Sequence, residues 1–174
     1  MSALSWRFLS ESSKFVLRLG TTVVLARLLP VDAFGLLTLV MVVMNFAYAL
    51  SQIGMAPALI QRQNLTRAHT RVAFTVSVLS GLAITGAIWV SAPTVAAVFR
   101  NDDVTPILRL TSLSFLFTSL GSVAGALLER RLNYKRLFGA EVSAYIIGYA
   151  VVGIALALAG WGVWALACAA VVEA

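Results

Sequence analysis

The stretch LLTLVMVVMNFAYALSQIGMAPALI, residues 36–60, contains no Asp, Glu, Lys or Arg. A bilayer's hydrocarbon core is about 30 Å thick, and a helix rising 1.5 Å per residue crosses it with about 20 mainly apolar residues. Residues 36–60 meet that requirement, so they read as a membrane-spanning helix. A transmembrane β-strand needs only about half that length and alternates strictly, which this stretch does not. A helix also satisfies its own backbone donors and acceptors, as a lipid environment demands.

Similar apolar segments occupy 12–29, 72–99, 106–128 and 138–159, and another starts at 163. Pro30 closes the first, because proline cannot continue a helix. Pro93 falls near the far end of the third and is expected to kink it. Gly160-Trp161-Gly162 links the fifth to the sixth, which reaches only Ala174 and is too short to span. The expectation is therefore an all-α, polytopic transmembrane helical bundle of about five full spans plus a truncated sixth. The whole of 1–174 is expected to form one transmembrane unit.

Composition agrees. Hydrophobic residues make up 60% of the chain and charged residues 11%, against about 25% charged in an ordinary soluble domain. The net charge of +6 could suggest nucleic acid. The 13 basic residues instead cluster between apolar runs, which reads as membrane topology, with no nucleic-acid partner. A cleavable leader is not evident, because Arg18 and Arg27 interrupt the first apolar run. The single cysteine, Cys168, excludes a disulfide framework and a cysteine metal centre, and reads as a thiol packed among alanines.

Loop charge gives orientation. Arg7, Lys14 and Arg18 precede or open the first span. Arg62, Arg67 and Arg71 lie between the second and third, and Arg130, Arg131, Lys135 and Arg136 between the fourth and fifth. These ten share one side, leaving Arg27, Arg100 and Arg109 on the other, where Asp32, Asp102 and Asp103 accompany them. The excess of cations marks the cytoplasmic face, so the N-terminus is expected in the cytoplasm.

Polar residues inside spans are costly, and their placement carries the functional signal. Arg7, Glu11, Lys14 and Arg18 recur at intervals of four, three and four, one stripe along a helix, which Thr21 and Thr22 continue. Arg18 lies within the span. It either snorkels to the headgroups or pairs with Glu11, or it holds an anionic group in a central cavity. Arg27 sits near the opposite surface, where an ion pair with Asp32 would close the first loop. Its planar fork also suits phosphate oxygens. Asn45, Tyr48 and Gln52 form a second stripe in mid-membrane, for interhelical hydrogen bonds or for the hydroxyls of a substrate. Glu141, Tyr145 and Tyr149 form a third, with Glu141 either pairing locally with Lys135-Arg136 or coupling transport to an ion. Gly121 and Gly125, and the Ala140, Ala144, Gly148 ladder, read as close helix contacts. His69 reads as solvated. No Gly-rich phosphate loop, paired-carboxylate site or metal-ligand constellation is present, so no cofactor, metal or catalytic residue is expected, and the chain does not read as an enzyme.

Several passages together resemble one family. They are Ala26-Arg27-Leu28-Leu29-Pro30 with Asp32, Phe34, Gly35 and Leu36; Ala58-Leu59-Ile60-Gln61-Arg62 followed by Leu65, Thr66, His69, Ala73 and Phe74; and Leu127-Leu128-Glu129-Arg130-Arg131 leading to Glu141. Ala92-Pro93 and Gly162-Val163-Trp164-Ala165-Leu166 also fit. In order and spacing they resemble the first lobe of Wzx-type polysaccharide or lipopolysaccharide exporters, within the multidrug/oligosaccharidyl-lipid/polysaccharide exporter superfamily. The resemblance implies a larger two-lobed flippase of about 12–14 helices. It implies movement of an undecaprenyl-pyrophosphate-linked oligosaccharide across the bacterial inner membrane by alternating access. Cations on the first helix would hold the pyrophosphate, a role that Arg18 matches best and to which Lys14 belongs. The missing C-terminal lobe would then be needed for function, and Glu173, just before the end, fits an incomplete chain. A drug or peptidoglycan-precursor exporter of the same superfamily, or a helical subunit that only packs with a partner, are the rival readings.

Overall fold

Three short turns at one end of the molecule divide the chain into long helices. In the computed structural model, residues 3–51, 67–130 and 134–174 are described, with side chains over 15–49, 68–130 and 135–174. Helix α1 (Ala3–Leu28) ends at the Leu29-Pro30 turn and α2 (Val31–Ser51) follows directly. Helices α3 (Arg67–Phe99) and α4 (Val104–Arg130) are joined by a turn at Arg100–Asp103. Helix α5 (Tyr134–Tyr145) runs on without a break into a π-helical stretch (Ile146–Gly153) and α6 (Ile154–Leu158), and α7 (Val163–Glu173) completes the described chain. Every element among the described residues is a helix.

Four of these rods are long and apolar enough to cross a membrane: Val31–Ala49, Ala68–Phe99, Val104–Arg130 and Lys135–Leu158. The chain is thus a multi-pass helical membrane protein. The expected first span, 12–29, lies inside a longer α1 that is not among the four. Its 26 residues suffice in length, but only 15–28 of it have described side chains; Arg7, Glu11, Lys14, Arg18 and Arg27 make it the most charged of the long helices. The second helix starts at Val31 and not at 36, and the part of the expected 36–60 span beyond Ser51 lies outside the described residues. The short apolar α7 is the sixth segment.

Two of the turns solve the helix-end problem in the same way. A helix leaves its last carbonyls unpaired, and a left-handed residue just beyond the end lets two later N–H groups turn back to them. After α6, Gly160 takes φ +80°, Trp161 N–H donates to Leu156 O at 3.1 Å and Gly160 N–H to Ala157 O at 3.0 Å. After α3, Asn101 N–H donates to Ala96 O at 3.1 Å and Arg100 N–H to Ala97 O at 3.2 Å. There the left-handed position, φ +52°, belongs to Arg100, a side chain that pays a steric penalty glycine avoids.

Helices α3 and α4 form the tightest pair. Small residues at 81, 85, 92 and 96 of α3 are buried, and a methyl group on Gly81 would lie 2.6 Å from Ser119 Oγ and 2.9 Å from the Phe115 carbonyl oxygen. Thr85 Oγ1 crosses the seam to Ser112 O at 3.1 Å. The largest apolar cluster joins this pair to α2 and α7 through Val40, Met44, Ile88, Ile107, Leu108 and Ala167. A second cluster, Leu25, Leu29, Ala33, Ala157, Ala165 and Leu166, closes the turn end between α1, α2, α6 and α7.

Pro93 interrupts nothing: α3 is helical from Arg67 to Phe99. Proline cannot donate to the carbonyl four residues earlier, which is Trp89 O. Arg109 Nη2 on α4 reaches that carbonyl at 3.4 Å. A neighbouring helix thereby takes up the freed acceptor, as membrane helices allow.

The π stretch was not expected. Gly148 and Gly153 both face α7: a methyl on Gly148 would stand 2.8 Å from Ala169 O, and one on Gly153 3.2 Å from Ala169 Cβ. At 3.6 residues per turn, residues five apart point about 140° away from each other. The i→i+5 bonding of a π-helix brings them onto one side, as in Ile154 N–H donating to Tyr149 O. Gly148 thus acts as the close contact its small-residue ladder suggested. The Gly121 and Gly125 pair makes no such contact among the described residues, where added methyls would meet nothing within 4 Å. Cys168 is only half-buried, although alanines on both sides of it are fully covered.

Candidate functional site

Three helices converge on Arg18. It lies ten residues before the end of α1, and Glu173 lies ten residues after the start of α7. Both ends meet at the turn side of the molecule, so each residue sits about 15 Å from it along its helix. That is about half of a 30 Å hydrocarbon core. Arg18 Nη2 stands 3.8 Å from Glu173 Oε1. The guanidinium also lies over the Tyr145 ring, 5.9 Å from its centroid, within the range of a cation–π attraction. Tyr145 in turn stacks on Tyr149 at 5.1 Å with the rings 22° apart.

This arrangement leaves Arg18 usable. Its side chain is 65% exposed from the lobe, while that of Glu173 is 30% exposed. An N···O distance of 3.8 Å is an ion pair without a short hydrogen bond. The guanidinium is therefore largely exposed from the described lobe, with an aromatic ring against it and one carboxylate partly neutralising it. A fork of this kind suits the oxygens of a phosphate. Thr21, one turn on, is buried and donates to Leu17 O at 2.8 Å within its own helix, so it does not extend the polar stripe. Thr22 is exposed.

The remaining predicted residues are distributed more widely. Asn45 and Tyr48 are both exposed on α2, whose buried side is Val40, Met44 and Ala47. Asn45 makes no hydrogen bond with another described residue, and its exposed side chain faces out of the described lobe. Tyr48 is engaged in an interaction. Neither is among the partners of Arg18. Gln52 lies outside the described residues, as do the side chains of Lys14 and Glu11. Arg27 and Asp32 are both exposed and form no ion pair with each other among the described residues, which corrects the expected closing pair of the first loop. Five residues apart across a proline turn, they project from different helices. Glu141 is exposed and engaged at its end of α5.

Two features were not read from the sequence. Among the described residues Arg18 pairs with Glu173, 155 positions away. The available signal was that Glu173 is a lone carboxylate in the apolar run following Glu141. The second feature is the contact of Trp89 with Arg109. The indole Nε1 donates to Arg109 O at 3.2 Å and to Ser112 Oγ at 3.1 Å, and the Arg109 guanidinium lies 5.8 Å from the ring centroid.

Comparison with known proteins bears on this geometry. The chain matches a family described as "Polysaccharide biosynthesis protein" over residues 24–174. It is 27% identical over 149 residues to the lipopolysaccharide biosynthesis protein WzxC of Escherichia coli K12, covering 86% of this chain and 30% of that protein. It is 28% identical over 163 residues to the succinoglycan biosynthesis transport protein ExoT of Rhizobium meliloti, covering 94% and 33%. The teichuronic acid biosynthesis protein TuaB of Bacillus subtilis is 22% identical over 111 residues, 64% of this chain and 23% of that protein. The chain thus spans about a third of the length of the first two. No solved structure matches it. With the match running from residue 24 to residue 174, the chain belongs to the polysaccharide biosynthesis protein family, as its resemblance to the Wzx-type exporters led us to expect.

Proposed function

We propose that this chain is one lobe of an exporter that moves an undecaprenyl-pyrophosphate-linked oligosaccharide across the bacterial inner membrane. The observation that carries the reading is Arg18: a half-compensated guanidinium near mid-membrane, 65% exposed from the lobe and backed by Tyr145. An uncovered cation at that depth is stabilised by a wet cavity or an anion, and a pyrophosphate supplies several acceptor oxygens for its fork. Lys14, one turn earlier on the same stripe, would extend the cationic wall. Asn45 and Tyr48, exposed on α2, and Gln52 beyond it would meet sugar hydroxyls, while the prenyl tail stays in lipid between helices.

The export half of the proposal is supported by the relatives' names, among them a succinoglycan biosynthesis transport protein. On this reading the N-terminus is cytoplasmic, the basic clusters of 62–71 and 130–136 mark the cytoplasmic side, and the protein works without catalysis. A second lobe closes the cavity, and rocking between the lobes exposes the site to each side in turn.

The test is Arg18→Ala in the full-length protein, with surface polysaccharide measured against protein level in the membrane. The expected result is a fall of at least tenfold, about the factor that a 1.4 kcal/mol loss of binding produces. Normal surface polysaccharide at normal expression would remove Arg18 from the substrate path.

A further inference from the structure

Arg109 poses a problem that the transport reading does not solve. Its guanidinium is fixed in place. Nη2 donates to the Trp89 carbonyl freed by Pro93, the face lies over the indole, and that indole is pinned by two hydrogen bonds to α4. Ser112 Oγ completes the clasp by donating to Arg109 O at 2.7 Å. Yet the charge is uncompensated. Among the described residues no carboxylate lies within ion-pair distance of it, and its buried Nε has no hydrogen-bond partner. The carboxylates nearest in sequence, Asp102 and Asp103, are exposed on the turn.

Position narrows what can supply the missing anion. Arg109 follows the start of α4 at Val104 by five residues, about 8 Å along the axis. Trp89, 46% exposed, has the amphipathic character that favours the interface between headgroups and acyl chains. At that depth the abundant anionic group is a lipid phosphate, and basic pockets between membrane helices take such groups.

We infer that Arg109, held by the Trp89–Ser112 clasp, is a binding site for the phosphate of an anionic lipid at the end of the lobe formed by the Arg100–Asp103 turn. The fork offers Nη1, the second Nη2 hydrogen and the charge, while the indole packs against the glycerol or prenyl carbons below the phosphate. This site is separate from Arg18 and does not depend on which lipid the exporter carries.

The experiment is native mass spectrometry of the purified chain released from phosphatidylcholine nanodiscs doped with phosphatidylglycerol or, separately, with a polyprenyl diphosphate. Wild type, Arg109→Gln, Arg109→Lys and Arg100→Gln are compared, each with its thermal midpoint. The inference expects the fraction retaining a bound anionic lipid to drop at least fivefold in R109Q and to stay near wild type in R100Q. R109K loses the guanidinium bond to the Trp89 carbonyl but keeps the charge, so it should keep most of the binding even if its midpoint falls as far as that of R109Q. Retention in R109Q equal to wild type overturns the site, as does an equal loss in R100Q or a loss that follows thermal midpoint and not charge. Equal retention of the two probes assigns bulk phospholipid, and preference for the diphosphate assigns a carrier lipid; both support the site. Arg18→Ala should leave this binding intact while reducing export, so the two proposals fail separately.

Discussion

Replacing Gly148 by alanine puts a methyl carbon 2.8 Å from Ala169 O, 2.9 Å from Glu173 N and 3.2 Å from Glu173 Cα. Ordinary contact begins near 3.4 Å, so the π stretch and α7 must separate by about 0.6 Å (3.4 minus 2.8). All three obstacles are backbone atoms, and no side-chain rotation can relieve them. Overpacking of this kind costs about 1–3 kcal/mol, and with rigid obstacles on both sides the upper part of that range applies, about 2–3 kcal/mol. Alanine recovers up to about 1 kcal/mol of helix propensity over glycine. The net expectation is destabilisation by about 1–2 kcal/mol. Gly125→Ala is the matched control, since its methyl would meet nothing within 4 Å and only the propensity gain remains. The two variants should therefore differ by about 2–3 kcal/mol in reversible unfolding from mixed micelles titrated with SDS and followed by tryptophan fluorescence. A Gly148→Ala protein as stable as wild type, or a Gly125→Ala protein equally destabilised, would refute the close packing of the π stretch on α7.

Two other perturbations test the packing elsewhere. Gly81→Ala drives a methyl into Ser119 and the Phe115 carbonyl and should cost about 1–3 kcal/mol in the same unfolding assay. Adding Ser119→Gly should recover part of that loss but not all, because the carbonyl stays. At the turns, Arg100→Gly removes a side chain from a left-handed position at φ +52° and should stabilise by up to about 1 kcal/mol. Gly160→Ala at φ +80° should destabilise by about 1–2 kcal/mol. Thermal midpoints moving in the same direction for both would show that the left-handed caps do not govern these helix ends.

The spans were legible because lipid imposes a simple rule on sequence: long apolar runs, few charges, and turns marked by Pro30 and the Gly160-Trp161-Gly162 link. What the sequence hid were features depending on a second helix. The effect of Pro93 on its own helix, a carbonyl left without its donor, is visible in sequence. The arginine on α4 that takes up the freed Trp89 carbonyl is not. The π stretch is apolar on all sides, so one extra residue per turn leaves no mark in a hydrophobic pattern. Only the five-residue spacing of Gly148 and Gly153 hints at it. Arg18 was legible as an intramembrane charge, but its pairing with Glu173 was not, because 155 residues separate the two in sequence. Asn45 sat in a stripe whose period was read correctly, while the face it presents was settled by the packing of Val40, Met44 and Ala47.

The two intramembrane arginines answer the same physical demand differently, and the difference bears on their roles. Each guanidinium lies over an aromatic ring at nearly the same distance, 5.9 Å for Arg18 on Tyr145 and 5.8 Å for Arg109 on Trp89. Arg18 also has a carboxylate at 3.8 Å and few other ties. On the proposed transport reading, an anion arriving there would compete with Glu173 and on leaving would be replaced by it, so both directions would stay accessible. Arg109 has no such competitor among the described residues and is locked by hydrogen bonds between α3 and α4. An anion there meets a full charge on a rigid mount, with nothing to take its place when it leaves. A transport site must bind weakly enough to release its cargo, whereas an anchoring site need not. On the two proposals made above, the carboxylate beside Arg18, and its absence among the described residues beside Arg109, is the feature that separates a place of passage from a place of attachment.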